Sequence, residues 1–184
     1  MNQLISLLVE NKPGALMRVA GVLTARGYNI ESLTVARTLD PTLSSMTIVV
    51  EIDPAMRSLL IKQIQRLVNV VEAVDLTESE SVCREMALIK VTVTPQMRPA
   101  LLQEAEIFRA RVVDASPTTY TLEATGAVEK LDALITLLHN YGEVEMIRSG
   151  AIAMRRSPMM KKHHVFAAVS KQPEEPREKE TVKT

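Results

Sequence analysis

The chain has 184 residues, enough for one large domain or two small ones, and its 46% hydrophobic and 24% charged content is ordinary for a soluble globular protein. Lysine plus arginine balances aspartate plus glutamate at 22 each, and aromatics make only 3% with no tryptophan, so neither a basic field nor stacking rings recruit nucleic acid. The apolar runs are far too short to span a membrane, no basic leader opens the chain, and the single cysteine, Cys83, excludes an internal disulfide. A cytoplasmic protein with no membrane or nucleic-acid partner is expected.

Residues 3–10 form a near-continuous apolar run bounded by Asn11, Pro13 and Gly14, the pattern of a buried strand. Leu16, Val19, Ala20 and Leu23 then recur at helical spacing, with Pro13 at a tolerated first-turn position and Gly27 where a left-handed residue ends the helix. Strands follow over 29–37 and 45–52, separated by the turn signal Asp40-Pro41-Thr42. Asp53-Pro54 opens a second helix with an apolar stripe of Met56, Leu60, Ile64 and Leu67, and 69–77 reads as a fourth strand.

The order is βαββαβ. Each helix has one apolar face, and right-handed crossovers put both helices on one side of the sheet, a ferredoxin-like sandwich.

After a polar stretch at 77–81 the pattern repeats: a strand over 86–93, a helix over 95–108, two strands within 111–125, a helix marked by Leu131, Ile135 and Leu138, and a strand over 144–147. The expected organisation is therefore α+β, with tandem ferredoxin-like domains at 1–78 and 84–156 joined by a linker at 79–83. From Ser157 the chain turns charged and proline-bearing, which predicts a disordered tail over 157–184. Its Lys161-Lys162-His163-His164 run is read as solvated residues and not as a metal site.

Two segments carry chemistry: Asn11-Lys12-Pro13-Gly14-Ala15-Leu16 and Arg26-Gly27-Tyr28-Asn29-Ile30, at opposite ends of the first helix. A helix start presents unpaired N–H groups and a positive dipole end, a natural carboxylate site, and Gly14 lets a ligand approach the backbone. The amide oxygens of Asn11 and Asn29 can each accept from an ammonium group. A free amino acid needs both. The helix separates the two ends by about 16 to 20 Å at 1.5 Å per residue, so one ligand meets both only if two subunits pack head to tail around a two-fold axis. A Kd near about 10⁻⁴ M requires about 5.5 kcal/mol, more than a helix-end charge or one buried aliphatic group supplies, so all these contacts are needed together. On spacing alone, Asn-x-Pro-Gly followed by a helix stop also describes an ordinary turn.

The run Glu10-Asn11-Lys12-Pro13-Gly14-Ala15-Leu16, the run Arg26-Gly27-Tyr28-Asn29-Ile30-Glu31-Ser32-Leu33-Thr34-Val35, and then Asp40-Pro41-Thr42-Leu43-Ser44 and Met46-Thr47-Ile48 closely resemble the small, regulatory subunit family of acetolactate (acetohydroxyacid) synthase. In the second half, Arg84-Glu85, Leu88-Ile89-Lys90-Val91, Ile107-Phe108-Arg109-Ala110, Val113-Asp114, Ser116-Pro117, Gly126, Lys130-Leu131-Asp132-Ala133 and Arg148-Ser149-Gly150 fit the same family. The resemblance runs to about residue 156 and omits the tail. It implies that 1–78 is a dimerising ACT domain and that the homodimer carries feedback sites for valine. Each site would use Asn11, Gly14, Ala15 and Leu16 of one subunit and Asn29 and Ile30 of the other. It also implies a large catalytic subunit as partner, holding thiamine diphosphate, FAD and Mg²⁺, with no cofactor in this chain. One departure is Ser45, where the family leads one to expect a basic residue before Met-Thr-Ile; it bears on a large-subunit contact and on no ligand contact.

By sequence register, the second-domain equivalents of Asn11, Gly14 and Asn29 are Thr94, Met97 and Val112, which lack the ligand chemistry. Independent catalysis is not expected, because His139, His163 and His164 are dispersed and have no carboxylate partners at recognisable spacing. An RNA-recognition domain shares the βαββαβ order, but Leu33-Thr34-Val35 and Thr47-Ile48-Val49-Val50 carry no stacking aromatics. The alternative is a stand-alone ACT-type amino-acid sensor acting on another protein.

Overall fold

The computed structural model describes residues 2–156, so the expectations for 157–184, including His163 and His164, lie outside the described residues. Strand β1 (Asn2–Glu10) alternates strictly, with Ile5, Leu7 and Val9 at most 2% exposed. Helix α1 (Ala15–Ala25) follows, then β2 (Ile30–Arg37), β3 (Leu43–Glu51), a 3-10 turn (Pro54–Met56) running into α2 (Arg57–Gln65), and β4 (Val70–Asp75). Asp53 caps the 3-10 turn, its Oδ1 accepting from the Ala55 N–H at 2.9 Å.

The sheet order is β2-β3-β1-β4, all antiparallel, as the βαββαβ reading requires. Val19 and Leu23 of α1 share one core with Leu60 and Ile64 of α2 and with Ile5, Leu7, Met46, Ile48 and Val50, so both helices cover the same sheet face. Each of these fully buried aliphatic side chains is worth about 1.5–3 kcal/mol of transfer free energy.

The second domain repeats the plan with β5 (Ser81–Val93), α3 (Arg98–Ile107), β6 (Arg111–Ala115), β7 (Thr119–Gly126), α4 (Val128–Leu138) and β8 (Gly142–Arg148), in the order β6-β7-β5-β8. Its core joins Ile89 and Val91 to Leu101, Leu122, Leu131, Leu134 and Leu138.

Four local expectations change. Pro13 stands outside α1, because Gly14 intervenes at φ 83°, a left-handed conformation that no helix contains. Helix α3 begins at Arg98 and not at 95, since Pro95 to Met97 form a turn. Strand β5 starts at Ser81, inside the expected 79–83 linker, because an unexpected strand β9 (Ile152–Arg155) pairs with residues 81–84. Finally, Asn29 corresponds to Arg111 and not to Val112. Helix α3 has 10 residues against 11 in α1, and both helices end in the same pair of bonds around a left-handed residue. These are Tyr28 N–H to Leu23 O with Gly27 N–H to Thr24 O, and Ala110 N–H to Ala105 O with Arg109 N–H to Glu106 O.

Candidate functional site

The end of β1 is fixed by charge and amide contacts. Asn69 donates through Nδ2 to Glu10 Oε2 at 2.7 Å and accepts from Arg18 Nη1, while Lys12 Nζ lies 3.1 Å from Glu10 Oε1. The Lys12 bond, then the Asn69 bond, holds the Glu10 carboxyl below its ordinary range. Asn11 is tied to the β2–β3 loop twice: its N–H donates to Thr42 O at 2.7 Å and its Nδ2 to Pro41 O at 2.9 Å. That loop is shaped by Asp40, whose Oδ1 accepts from the hydroxyl and the N–H of Thr42, contacts that also hold its carboxyl below the usual range. The Asn11 Oδ1 has no donor among the described residues and is left to accept from a cation.

The start of α1 is open. Gly14 caps it without any side-chain bond, and no acidic residue occupies the first turn. Among the described residues, the N–H groups of Gly14, Leu16 and Met17 have no acceptor, whereas Ala15 N–H reaches Lys12 O and Arg18 N–H reaches Gly14 O. These open donors and the dipole end favour an anion. A Cβ built on Gly14 would meet nothing within 4 Å, so there is room for a ligand against the backbone. Ala15 is buried, while Leu16 at 39% and Met17 at 72% exposure offer apolar surface beside the donors. Met17 and Pro41 thus border the site although sequence reasoning did not include them; the signal for Met17 was its place off the Ala15–Val19–Leu23 face.

Asn29 and Ile30 stand at the other end of α1. Asn29 is exposed, its Nδ2 directed to Glu31 Oε1 and its Oδ1 without a donor among the described residues. It lines an open cleft with Tyr28, Glu51, Ile52 and Pro54, while Ile30 packs at the core's margin. With 11 residues in α1, the two groups are about 16 Å apart along its axis. The structure therefore gathers Asn11, Gly14, Ala15 and Leu16 at one corner and Asn29 and Ile30 at another, and one chain does not unite them.

Among the described residues no group of three His, Cys, Asp or Glu is placed to hold a metal ion, and no helix is long and apolar enough to cross a membrane. Burial, reinforced by Glu129 and Glu85, pushes the Cys83 thiol above its ordinary range, which disfavours the nucleophilic thiolate.

Comparison with known proteins decides the family. Residues 5–72 match the model of the AHAS small subunit-like ACT domain, and residues 84–157 match that of the small subunit of acetolactate synthase. This chain belongs to the acetolactate synthase small-subunit family. Among members of that family, the probable acetolactate synthase small subunit of Archaeoglobus fulgidus is 46% identical over 156 residues, covering 85% of this chain and 98% of the relative. The acetolactate synthase small subunit of Mycolicibacterium smegmatis is 43% identical over 154 residues, covering 84% and 91%. The crystal structure of the small subunit from Thermotoga maritima superposes with a TM-score of 0.76 at 39% identity, covering 86% of this chain and 99% of that one. The family places an ACT domain at the N-terminus, where the open helix start lies.

Proposed function

We propose that this chain is the regulatory subunit of an acetolactate synthase complex, activating a large catalytic subunit and conferring feedback inhibition by valine. Thiamine diphosphate, FAD and Mg²⁺ belong to the large subunit on this reading, which condenses two pyruvates to 2-acetolactate, or pyruvate with 2-oxobutanoate. The observation that carries the proposal is the Gly14-capped helix start: free N–H groups for a carboxylate stand beside an Asn11 amide oxygen for an ammonium group and beside exposed Leu16. A small aliphatic amino acid has those three features.

The sheet edge supports a site shared between two copies. β2 is the terminal strand, with Leu33 and Val35 exposed on its helix-side face. Its far end, Arg37, lies beside Ser44 of β3, and Leu43 adjoins the Pro41–Thr42 loop that holds Asn11. Antiparallel pairing of two β2 strands across a two-fold axis would set Asn29 and Ile30 of one copy near Asn11 and Gly14 of the other. Such a homodimer completes the ligand set that one chain divides.

The test assays acetolactate formation by the matching large subunit with and without this chain, across a valine titration. Activity should rise on adding the chain and fall with valine only when the chain is present. Unchanged activity in a verified complex would remove the activating role, and valine-insensitive activation would remove the feedback role.

A further inference from the structure

The Ser149-Gly150-Ala151 turn has no part in the site described above, yet among the described residues it makes the side-chain hydrogen bonds that join the two domains. Thr34 Oγ1 donates to Ser149 O at 3.3 Å, and Ala151 N–H donates to Ser32 Oγ at 3.3 Å. Gly150 between them has φ +80°, and a Cβ there would fall 2.9 Å from Thr34 Oγ1 and 3.4 Å from Ser32 Cβ. The turn therefore lies flat against β2, and only glycine permits both the conformation and the approach.

On its other side the turn is anchored to the second domain. Gly150 N–H donates to Glu85 Oε1 at 3.1 Å, Met86 N–H donates to Ser149 Oγ at 3.1 Å, and Ala151 is 3% exposed. Glu85, itself 6% exposed, accepts through Oε2 from Arg148, whose second nitrogen reaches Asp132 of α4. The turn, β5, β8 and α4 are thus one connected polar unit. The contact with β2 is two longer bonds, weaker than the anchor behind it. A register shift separates Ile30 from Ser32 along β2, so the strand departs from regular pairing between the ligand end and this contact.

We propose that Ser149–Ala151 is the coupling contact through which a change at Asn29 and Ile30 reaches the second domain, with Ser32 and Thr34 as positioning residues that touch the turn and not the ligand. This rests on the reading that an amino acid binds at the start of β2. A ligand that shifts β2 makes or breaks the two bonds, and the anchored unit moves as a block.

The experiment uses the full chain reconstituted with the large subunit and compares wild type with Ser32→Ala/Thr34→Val, which removes both hydroxyls and keeps the shape at position 34. Valine affinity of the chain is read by calorimetry; activation and inhibition are read in the complex. The double variant should bind valine and activate within about twofold of wild type, while half-inhibition needs about tenfold more valine, within the usual range of coupling between sites. Thr34→Ser, which keeps the donor, should be inhibited as wild type. Normal inhibition of the double variant overturns the coupling role alone. Joint loss of binding and inhibition also overturns it, because Ser32 and Thr34 would then belong to the site or the fold. A wild-type chain that binds no valine sinks the ligand reading and this inference with it.

Discussion

Two left-handed residues show how one backbone conformation serves different ends. At Gly14 it opens the helix start, and the free space around the position means a side chain would project into the ligand's place. Gly14→Asp should therefore abolish valine binding while the protein stays folded: aspartate tolerates the left-handed region, at about 1 kcal/mol, but sets a like charge against the ligand carboxylate. Calorimetry on the folded variant checks this, and normal affinity would remove Gly14 from the site. At Arg109 the same conformation, φ 56°, ends α3 and carries a Cβ that disfavours it. Arg109→Gly should raise stability by about 0.5–1 kcal/mol, read as a higher denaturant midpoint with unchanged slope. Gly27 was legible in the sequence as such a position, whereas Gly14 was legible only as a point of close backbone approach, and Arg109 was not legible at all, because nothing in an arginine announces positive φ.

At the scale of elements, the near-continuous apolar run at 3–10 and the helical stripes of α1 and α2 were enough to give the order and the shared helix face, while the one-sided burial of β1, with Ile5, Leu7 and Val9 facing the core, is a finding of the structure. Features fixed by distant pairing were not legible. Strand β9 is four residues with no clear pattern of its own, and it exists because residues 81–84 offer it a ladder. The closure of β1 against β4 is another long-range feature. Gln3 Nε2 donates to Asp75 Oδ2 at 2.7 Å, Asp75 Oδ1 accepts from Thr77 N–H and Oγ1, and Thr77 Oγ1 accepts in turn from Leu4 N–H. Burial pushes the Asp75 carboxyl up, but the Thr77 bonds, Gln3 and the nearby Arg57 outweigh it, and its net position is below the ordinary value. A folded-state pKa below the unfolded one stabilises above the unfolded value and is lost as pH falls through the folded one. The advantage of wild type over Asp75→Asn should thus be full at about pH 6 and shrink from about pH 4 downward. Denaturant midpoints for both proteins along that range test it; a constant difference would mean that the charge of Asp75 contributes nothing.

At the scale of the whole molecule, the proposed valine site requires one ligand to meet residues about 16 Å apart along α1. Asn11, Gly14 and Asn29 were readable as candidates from residue type and Ile30 through the family resemblance, but on the proposed reading their union needs a second copy, which one sequence does not depict. Among the described residues β2 has an unpaired edge, which would give such a copy a place to join. A mixed dimer separates the shared site from a site within one chain. Asn11→Ala and Asn29→Ala homodimers should each bind valine weakly, since every shared site then lacks one amide oxygen. When the two are exchanged and the doubly tagged heterodimer is isolated, one of its two sites carries both lesions and the other carries neither. Titration should recover about one wild-type site per heterodimer, although each parent is defective. A site contained in one chain would leave every position damaged, and the heterodimer would titrate as weakly as its parents.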